Sequence, residues 1–256
     1  MKELGLLKRI ESVQNPRVKQ WRKLHTRKER DKTGTFLAEG FHLVEEALKN
    51  KELVAEVITG ETTLIPKDWN LDHTDIYLVT DEILTSLSET ETPQGIFAVC
   101  RQNKVQDDPQ WKRVLLLDAV QDPGNLGTII RTADAAGIDG IVLGEGTVDP
   151  YNAKTVRSSQ GSVFHIPLAK GQLGEWISRL NGRQIPVYGT ALEGAVSYKE
   201  AESKEAFALL LGNEGKGVSP EWLEMTNQNL YIPIYGGAES LNVAIAAGIL
   251  MYHLRG

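Results

Sequence analysis

The chain has 256 residues, 41% of them hydrophobic and 24% charged, enough for two modest domains or one large one with a real core. Its apolar runs fall short of the roughly 20 residues of a membrane span, and the start, MKELGLLKRIESVQ, has no signal-peptide core. One cysteine, Cys100, excludes an internal disulfide framework or Cys-rich zinc site, and a cytoplasmic protein is expected. The net charge of -6 is unevenly spread. Ten basic residues between Lys8 and Lys32 face only Glu11, Glu29 and Asp31, so a basic head of +7 sits on an acidic remainder of -13. Taken alone, a solvated helix face explains such a run more readily than RNA binding does.

Asn15-Pro16 reads as a helix start, with Asn as cap and Pro in the first turn. Val18, Trp21 and Leu24 then recur at helical spacing and leave Arg17, Lys19, Arg22 and Lys23 on the wet side. Trp21 is read as core, with base stacking the weaker alternative. A second amphipathic helix spans residues 39–50, with Phe41, Val44 and Leu48 on one face. Strand patterns follow at VAEVITG, DIYLVT and GIFAVCR, with a helical ILTSLSE between the last two. Residues 1–103 are therefore expected to form a small α/β unit, and the polar, aperiodic stretch 104–112 a linker.

From residue 113 onward the pattern changes. VLLLDA, IVLG, PVYGTAL, FALLLG and NLYIPI are short apolar strands. They alternate with helical LGTIIRTADAA, PYNAKTVRSS, LGEWISRL, PEWLEMT and SLNVAIAAGILMYHL. Such alternation predicts a mostly parallel sheet flanked by helices.

The usual glycine-loop fingerprints fail. GEGTVD, from Gly144, lacks the third glycine of a dinucleotide site, and Gly217 stands where a P-loop needs Ser or Thr. The five histidines show no metal-ligand spacing. Three segments remain. DPGNLGTIIRTADAAG follows a strand and opens a helix near Asn125, with Arg131 six residues on; a capping Asn and a surface Arg are the bland reading. LLLGNEGKGVSPEW sets Gly212, Gly215 and Gly217 around Glu214, which implies special dihedrals or a ligand against the main chain. YIPIYGGAESLNVAIAAG ends a strand at a Gly-Gly turn, with Ser240 or a neighbour capping a helix whose first turn holds Asn242. Ala244, Ala246, Ala247 and Gly248 on that helix suit a close helix contact, within a subunit or across a dimer.

Together, Asn125 to Arg131 (N-L-G-x-x-x-R), Leu211 to Gly217 (L-G-N-E-G-x-G) and Ile232 to Val243 (I-P-x-x-G-x-x-E-S-L-N-V) resemble the three ordered motifs of the SpoU/TrmH methyltransferases of the SPOUT group. VRSSQGSVFHIP also looks familial, although Gln160 stands where a small residue is expected. SVQNPRVKQWRKL and FLAEGFHLVEEAL are similar to the substrate-binding domain of ribosomal-RNA members, a small α/β fold like RNA-binding ribosomal proteins. The resemblance implies an α/β protein whose segment 113–256 is a trefoil-knotted, mostly parallel sheet. Its implied activity is methyl transfer from S-adenosyl-L-methionine to a ribose 2′-OH of RNA, ribosomal RNA before transfer RNA, without a metal. Arg131, Asn125, Glu214, Ser240 and Asn242 take the catalytic positions. Gly212, Ile232, Leu241 and Thr190 take the cofactor positions, and Arg17, Lys19, Arg22, Lys23, Arg27, Lys28 and Arg30 would contact RNA. A homodimer with its active site at the subunit interface, and no membrane partner, completes the implied picture. A non-catalytic RNA-binding protein is the competing class, and the intact set of five catalytic positions argues against it.

Overall fold

A computed structural model describes residues 7–50, 52–72, 74–103, 105 and 110–256. The expected linker lies largely outside the described residues, as do Asp107, Asp108 and His73. The chain divides into two compact units, Met1–Asn103 with Tyr151–Phe164, and Lys104–Pro150 with His165–Gly256.

The sheet of the first unit holds β1 (Leu7–Ile10), β2 (Thr35–Glu39), β3 (Val54–Gly60), β4 (Asp75–Val79) and β5 (Ile96–Arg101). Their spatial order is β1-β4-β3-β5-β2. β1, β4 and β3 run parallel, and β5 is antiparallel to β3 and β2. Helices α1 (Pro16–Lys23), α2 (Arg27–Thr33), α3 (Phe41–Leu48) and α4 (Asp81–Leu87) cover it. As expected, Asn15 caps α1: its side chain accepts from the Arg17 amide at 2.8 Å, with Pro16 in the first turn. Trp21 is core, 2% exposed. Its Nε1 donates to Glu56 Oε2 at 2.7 Å, and its ring meets Tyr77 edge-on.

The second unit holds β6 (Arg113–Leu117), β7 (Gly140–Leu143), β8 (Leu168–Lys170), β9 (Val187–Thr190), β10 (Val196–Ser197), β11 (Phe207–Leu211) and β12 (Gln228–Tyr231). They form one parallel sheet in the order β10-β12-β9-β11-β6-β7-β8. Central β11 is buried along its whole length, because a parallel strand covered on both faces has no wet side. Five more helices follow in the chain: α5 (Pro123–Ala135), α6 (Ala153–Ser159), α7 (Leu173–Gly182), α8 (Pro220–Leu223) and α9 (Val243–Arg255). All but α6 belong to this unit.

On one face, Leu173, Trp176, Ile177 and Leu180 of α7 pack with Val114, Leu116, Ala208 and Leu210 of the sheet. Trp176 stacks on Trp111 with ring centroids 5.5 Å apart. Strand alternation turns Leu115, Leu117, Leu209 and Leu211 the other way, where α9 packs against β11 and along α5. A side chain at Gly248 would touch Thr132 of α5 at 3.5 Å. The small-residue face of α9 therefore serves a contact within the subunit.

The segment PYNAKTVRSS forms α6 but joins the first unit. There α6 packs on β2, and Tyr151 and Phe164 flank Phe36 at 4.7 and 5.9 Å between ring centroids. Gln160 ends α6 in the left-handed region (φ 49°).

Candidate active site

Because every strand of the second sheet runs the same way, the loops after β6, β9, β11 and β12 gather at one edge, the carboxyl edge where open α/β sheets keep their sites. A cavity of about 740 Å³ opens there, within the range of small-molecule sites. Four of the five expected catalytic residues line it, Asn125, Glu214, Ser240 and Asn242, together with all four expected cofactor residues, Thr190, Gly212, Ile232 and Leu241.

Three of these residues form a hydrogen-bonded chain. Asn242 Nδ2 donates to Asn125 Oδ1 at 2.8 Å, and Asn125 Nδ2 donates to Glu214 Oε1 at 3.0 Å. The carboxylate of Glu214 also accepts the main-chain N–H groups of Gln121 and Asp122 at 3.1 and 3.0 Å. Partial burial pushes the Glu214 pKa up, but the bonds from Asn125, Asp122 and Gln121 outweigh it and hold the pKa below the usual carboxylate value. Glu214 is thus an anchor, kept ionised, for the entry to α5.

The caps differ from expectation. Asp122, not Asn125, caps α5, accepting from the Asn125 amide at 2.9 Å. Asn242 caps α9, its Oδ1 accepting from the Ala244 and Ile245 amides, so Ser240 stands outside the helix, exposed at the cavity. Asn125, relieved of capping by Asp122, has its whole side chain for the relay, whereas Asn242 divides its carboxamide between the α9 cap and Asn125.

The glycine-rich loop explains itself in large part. A Cβ at Gly212 would fall 2.1 Å from the carbonyl carbon of Gly217 and the amide of Val218, so the loop's two ends cross main chain to main chain. Gly217 adopts φ +70°. Asn213 and Gly217 exchange backbone hydrogen bonds, both 2.9 Å. Two residues not singled out from the sequence complete the brace. Asn213 accepts from the Gly215 and Lys216 amides and donates to the Ala119 carbonyl; Asp118 accepts the Ser219 amide at 2.7 Å. The signal for Asn213 was in the chain, an Asn within a glycine-rich stretch, whose side chain readily bonds the backbone two residues on.

Arg131 is not among the cavity-lining residues; it is exposed on α5. Six residues advance it about 9 Å along the helix from Asn125 and about 240° around it, onto a different face.

The expected RNA contacts separate into two groups. Arg30 is buried, 5% exposed, and donates to the Leu24 carbonyl at 2.7 Å, which corrects its assignment as an RNA contact: it ties α2 to the end of α1. Arg17 pairs with buried Glu56, and Arg27 with Asp31. Lys19, Arg22, Lys23 and Lys28 are exposed, and no ion pair engages them among the described residues.

Comparison with known proteins fits both units. Residues 112–252 match the SpoU rRNA Methylase family, and residues 15–98 the MRM3-like substrate binding domain. The 23S rRNA (guanosine(2553)-2'-O)-methyltransferase RlmP of Bacillus subtilis (strain 168) is 53% identical over 250 residues, covering 98% of this chain and 100% of that one. Among solved structures, the AdoMet-bound rRNA methyltransferase from Sinorhizobium meliloti superposes with a TM-score of 0.88 at 35% identity, over 98% of both chains. The SpoU methyltransferase AviRb from Streptomyces viridochromogenes, in complex with AdoMet, gives 0.84 at 29% identity, over 94% of this chain and 97% of that one. The three motifs, the cavity they enclose and a match that runs through both units lead to one conclusion: this chain belongs to the SpoU rRNA methylase family.

Proposed function

We propose that this protein transfers the methyl group of S-adenosylmethionine to a ribose 2′-OH of 23S ribosomal RNA, at the position equivalent to guanosine 2553 named for the Bacillus subtilis relative. The observation that carries this reading is the Glu214–Asn125–Asn242 chain on the rim of the cavity. It fixes amide groups beside a site built largely of main chain and apolar side chains.

The cavity suits the cofactor: loop main chain at Gly212, Ile232, Leu241 and Thr190 offers donors and acceptors, and Leu211, Leu230 and Ile234 offer apolar surface for a purine. The cofactor supplies, when bound, a methyl group activated by sulfonium. The residues of the chain handle the alcohol. Ser240 and Asn242 orient the ribose, while Asn125, held by ionised Glu214, keeps Asn242 in place. A guanidinium with a pKa above about 12 is a poor base, so Arg131 clamps the neighbouring phosphate, which helps accept the 2′-OH proton.

Arg131 reaches a cavity as part of a homodimer, supplied by the second subunit. The support is a stripe on α9: Ile245 and Tyr252 are both 55% exposed and lie two turns apart on one face. Segment 113–256 carries the methyltransferase, its chain path closing as the trefoil knot of the SPOUT group, which the placement of β11 between β6 and β9 suits. Residues 1–103 bind RNA through Lys19, Arg22, Lys23 and Lys28, and the protein works in the cytoplasm. No helix among the described residues is long and apolar enough to cross a membrane.

The test is a map of 2′-O-methyl sites over all stable RNA from a strain lacking the gene, followed by treatment of that RNA with pure protein and S-adenosylmethionine. Loss and restoration of one 23S site is the expected result. An unchanged map, with no cofactor binding to the pure protein, would overturn the reading.

A further inference from the structure

The second unit holds 11 basic and 17 acidic residues, a net charge of -6, yet the reaction brings a polyanion to its cavity. The cavity is lined by three charged residues among those described, Glu193, Glu214 and Lys216. Two acids and one base suit a cofactor that carries a sulfonium, an ammonium and a single carboxylate. They do not suit a phosphodiester, apart from Lys216. Glu214 is already engaged by Asn125 and two backbone amides. Lys216 is exposed, and no ion pair or side-chain hydrogen bond engages its ammonium among the described residues.

The backbone around Lys216 is fixed. Its amide donates to Asn213 Oδ1 at 3.1 Å, and Asn213 is bonded in turn to Ala119 and to Gly217. The root of the side chain is therefore held while the ammonium keeps its freedom, an arrangement that suits a point-charge contact to a phosphate whose path varies slightly. It stands one residue beyond Gly215 from Glu214, at the same rim as the Asn125–Asn242 pair. In the second motif it occupies the variable position, L-G-N-E-G-x-G, so the motif itself gives it no role.

We infer that Lys216 is a substrate-binding residue of the cavity rim, its ammonium pairing with a phosphate of the RNA strand beside the target ribose. This rests on the methyl-transfer reading above. Contacts of this kind fix the register of a strand without reading its sequence. They are also salt-dependent, because each one releases condensed counterions.

The test compares the full-length protein with Lys216→Gln and Lys216→Arg, and with a Lys199→Gln control. Lys199 is exposed on the same unit but outside the cavity. Three quantities are measured: the Kd for S-adenosylmethionine by calorimetry, the kcat and KM for RNA from the deletion strain, and RNA affinity against salt. For Lys216→Gln the KM for RNA rises roughly three- to tenfold, and the slope of log affinity on log salt falls by about 0.7, the value for one single-strand phosphate. Cofactor Kd, kcat at saturating RNA and Tm stay at wild-type values, Lys216→Arg is close to wild type, and Lys199→Gln leaves the slope unchanged. An unchanged KM and salt slope would overturn the inference. So would a parallel loss of cofactor affinity, which would place the ammonium on the cofactor carboxylate instead. If the wild-type protein methylates no RNA at all, the proposed function fails, while the salt slopes of binding still report on Lys216.

Discussion

Asn242 uses the two ends of one carboxamide separately, Oδ1 on the α9 amides and Nδ2 on Asn125, and this allows its roles to be divided by substitution. Asp caps as well as Asn but has no Nδ2–H donor, whereas Ala loses the cap at a cost of about 1 kcal/mol. Asn242→Asp should therefore keep the wild-type Tm and lose most methyl transfer, while Asn242→Ala should lose both; equal Tm losses in the two variants would show that the link to Asn125, not the cap, holds the entry to α9. Glu214 gives a prediction in pH. Its folded pKa is depressed, so its stabilising contribution is complete above the unfolded value of about 4.3 and is lost as pH falls through the folded value. The stability gap between wild type and Glu214→Gln, measured by urea unfolding, should be widest near neutrality and close on acidification below that point. The identities of these residues were legible in the sequence through motif order, but their bonding was not. Asn125 reads as a cap in isolation, and only the fold, with Asp122 in that place, shows that its side chain is free for Glu214 and Asn242. Arg30 went the other way: in a run of cations nothing local distinguishes the one that folds inward.

At the scale of elements, the loop between β11 and α8 owes two glycines to different causes, and substitution should separate them. A methyl at Gly212 meets backbone that cannot move aside, whereas at Gly217 it meets nothing within 4 Å and only the positive φ opposes it. Gly217→Ala should cost about 1–2 kcal/mol and retain cofactor binding. Gly212→Ala should lose cofactor binding altogether and lower Tm by more than Gly217→Ala, as read by calorimetry; comparable behaviour of the two would remove the crossing of the loop ends as the reason for Gly212. The glycines drew attention from sequence as a sign of a ligand, and much of that signal belongs to the loop's own closure. Strands β5, β6, β7 and β11 were legible because they are buried on both faces and write nearly continuous apolar runs, and β3 because Val54, Val57 and Ile58 outweigh its buried Glu56 and Thr59. Strand β1 was not, since LKRI is largely wet and breaks the pattern, and two-residue β10 is too short to carry one. Helix α2, RKERDKT, holds hardly an apolar residue and is fixed instead by Thr26 at its start, left-handed Gly34 at its end and buried Arg30.

For the whole molecule, exposed Arg131 and the cavity of the same subunit set up a mixing experiment. Arg131→Ala and Asn125→Ala proteins, each inactive, should recover methyl transfer when unfolded together and refolded, because in the proposed homodimer a mixed pair joins one intact cavity to one intact arginine. No recovery from a mixture shown to contain mixed dimers would return Arg131 to its own subunit's site. The sequence marked two units by composition and placed their border near residue 103, but it could not show that α6 leaves one unit for the other. Helices record which face is apolar, not which sheet they will cover. That excursion has a consequence for how such a protein can be inherited. The chain passes between its units three times, near residues 103, 150 and 164, so neither unit is one uninterrupted stretch of gene. A single recombination breakpoint at residue 103 would deliver a head without the helix that covers β2, and a tail carrying Tyr151, Val156 and Phe164 with no sheet to bury them. The head cannot be exchanged as a cassette unless residues 151–164 travel with it.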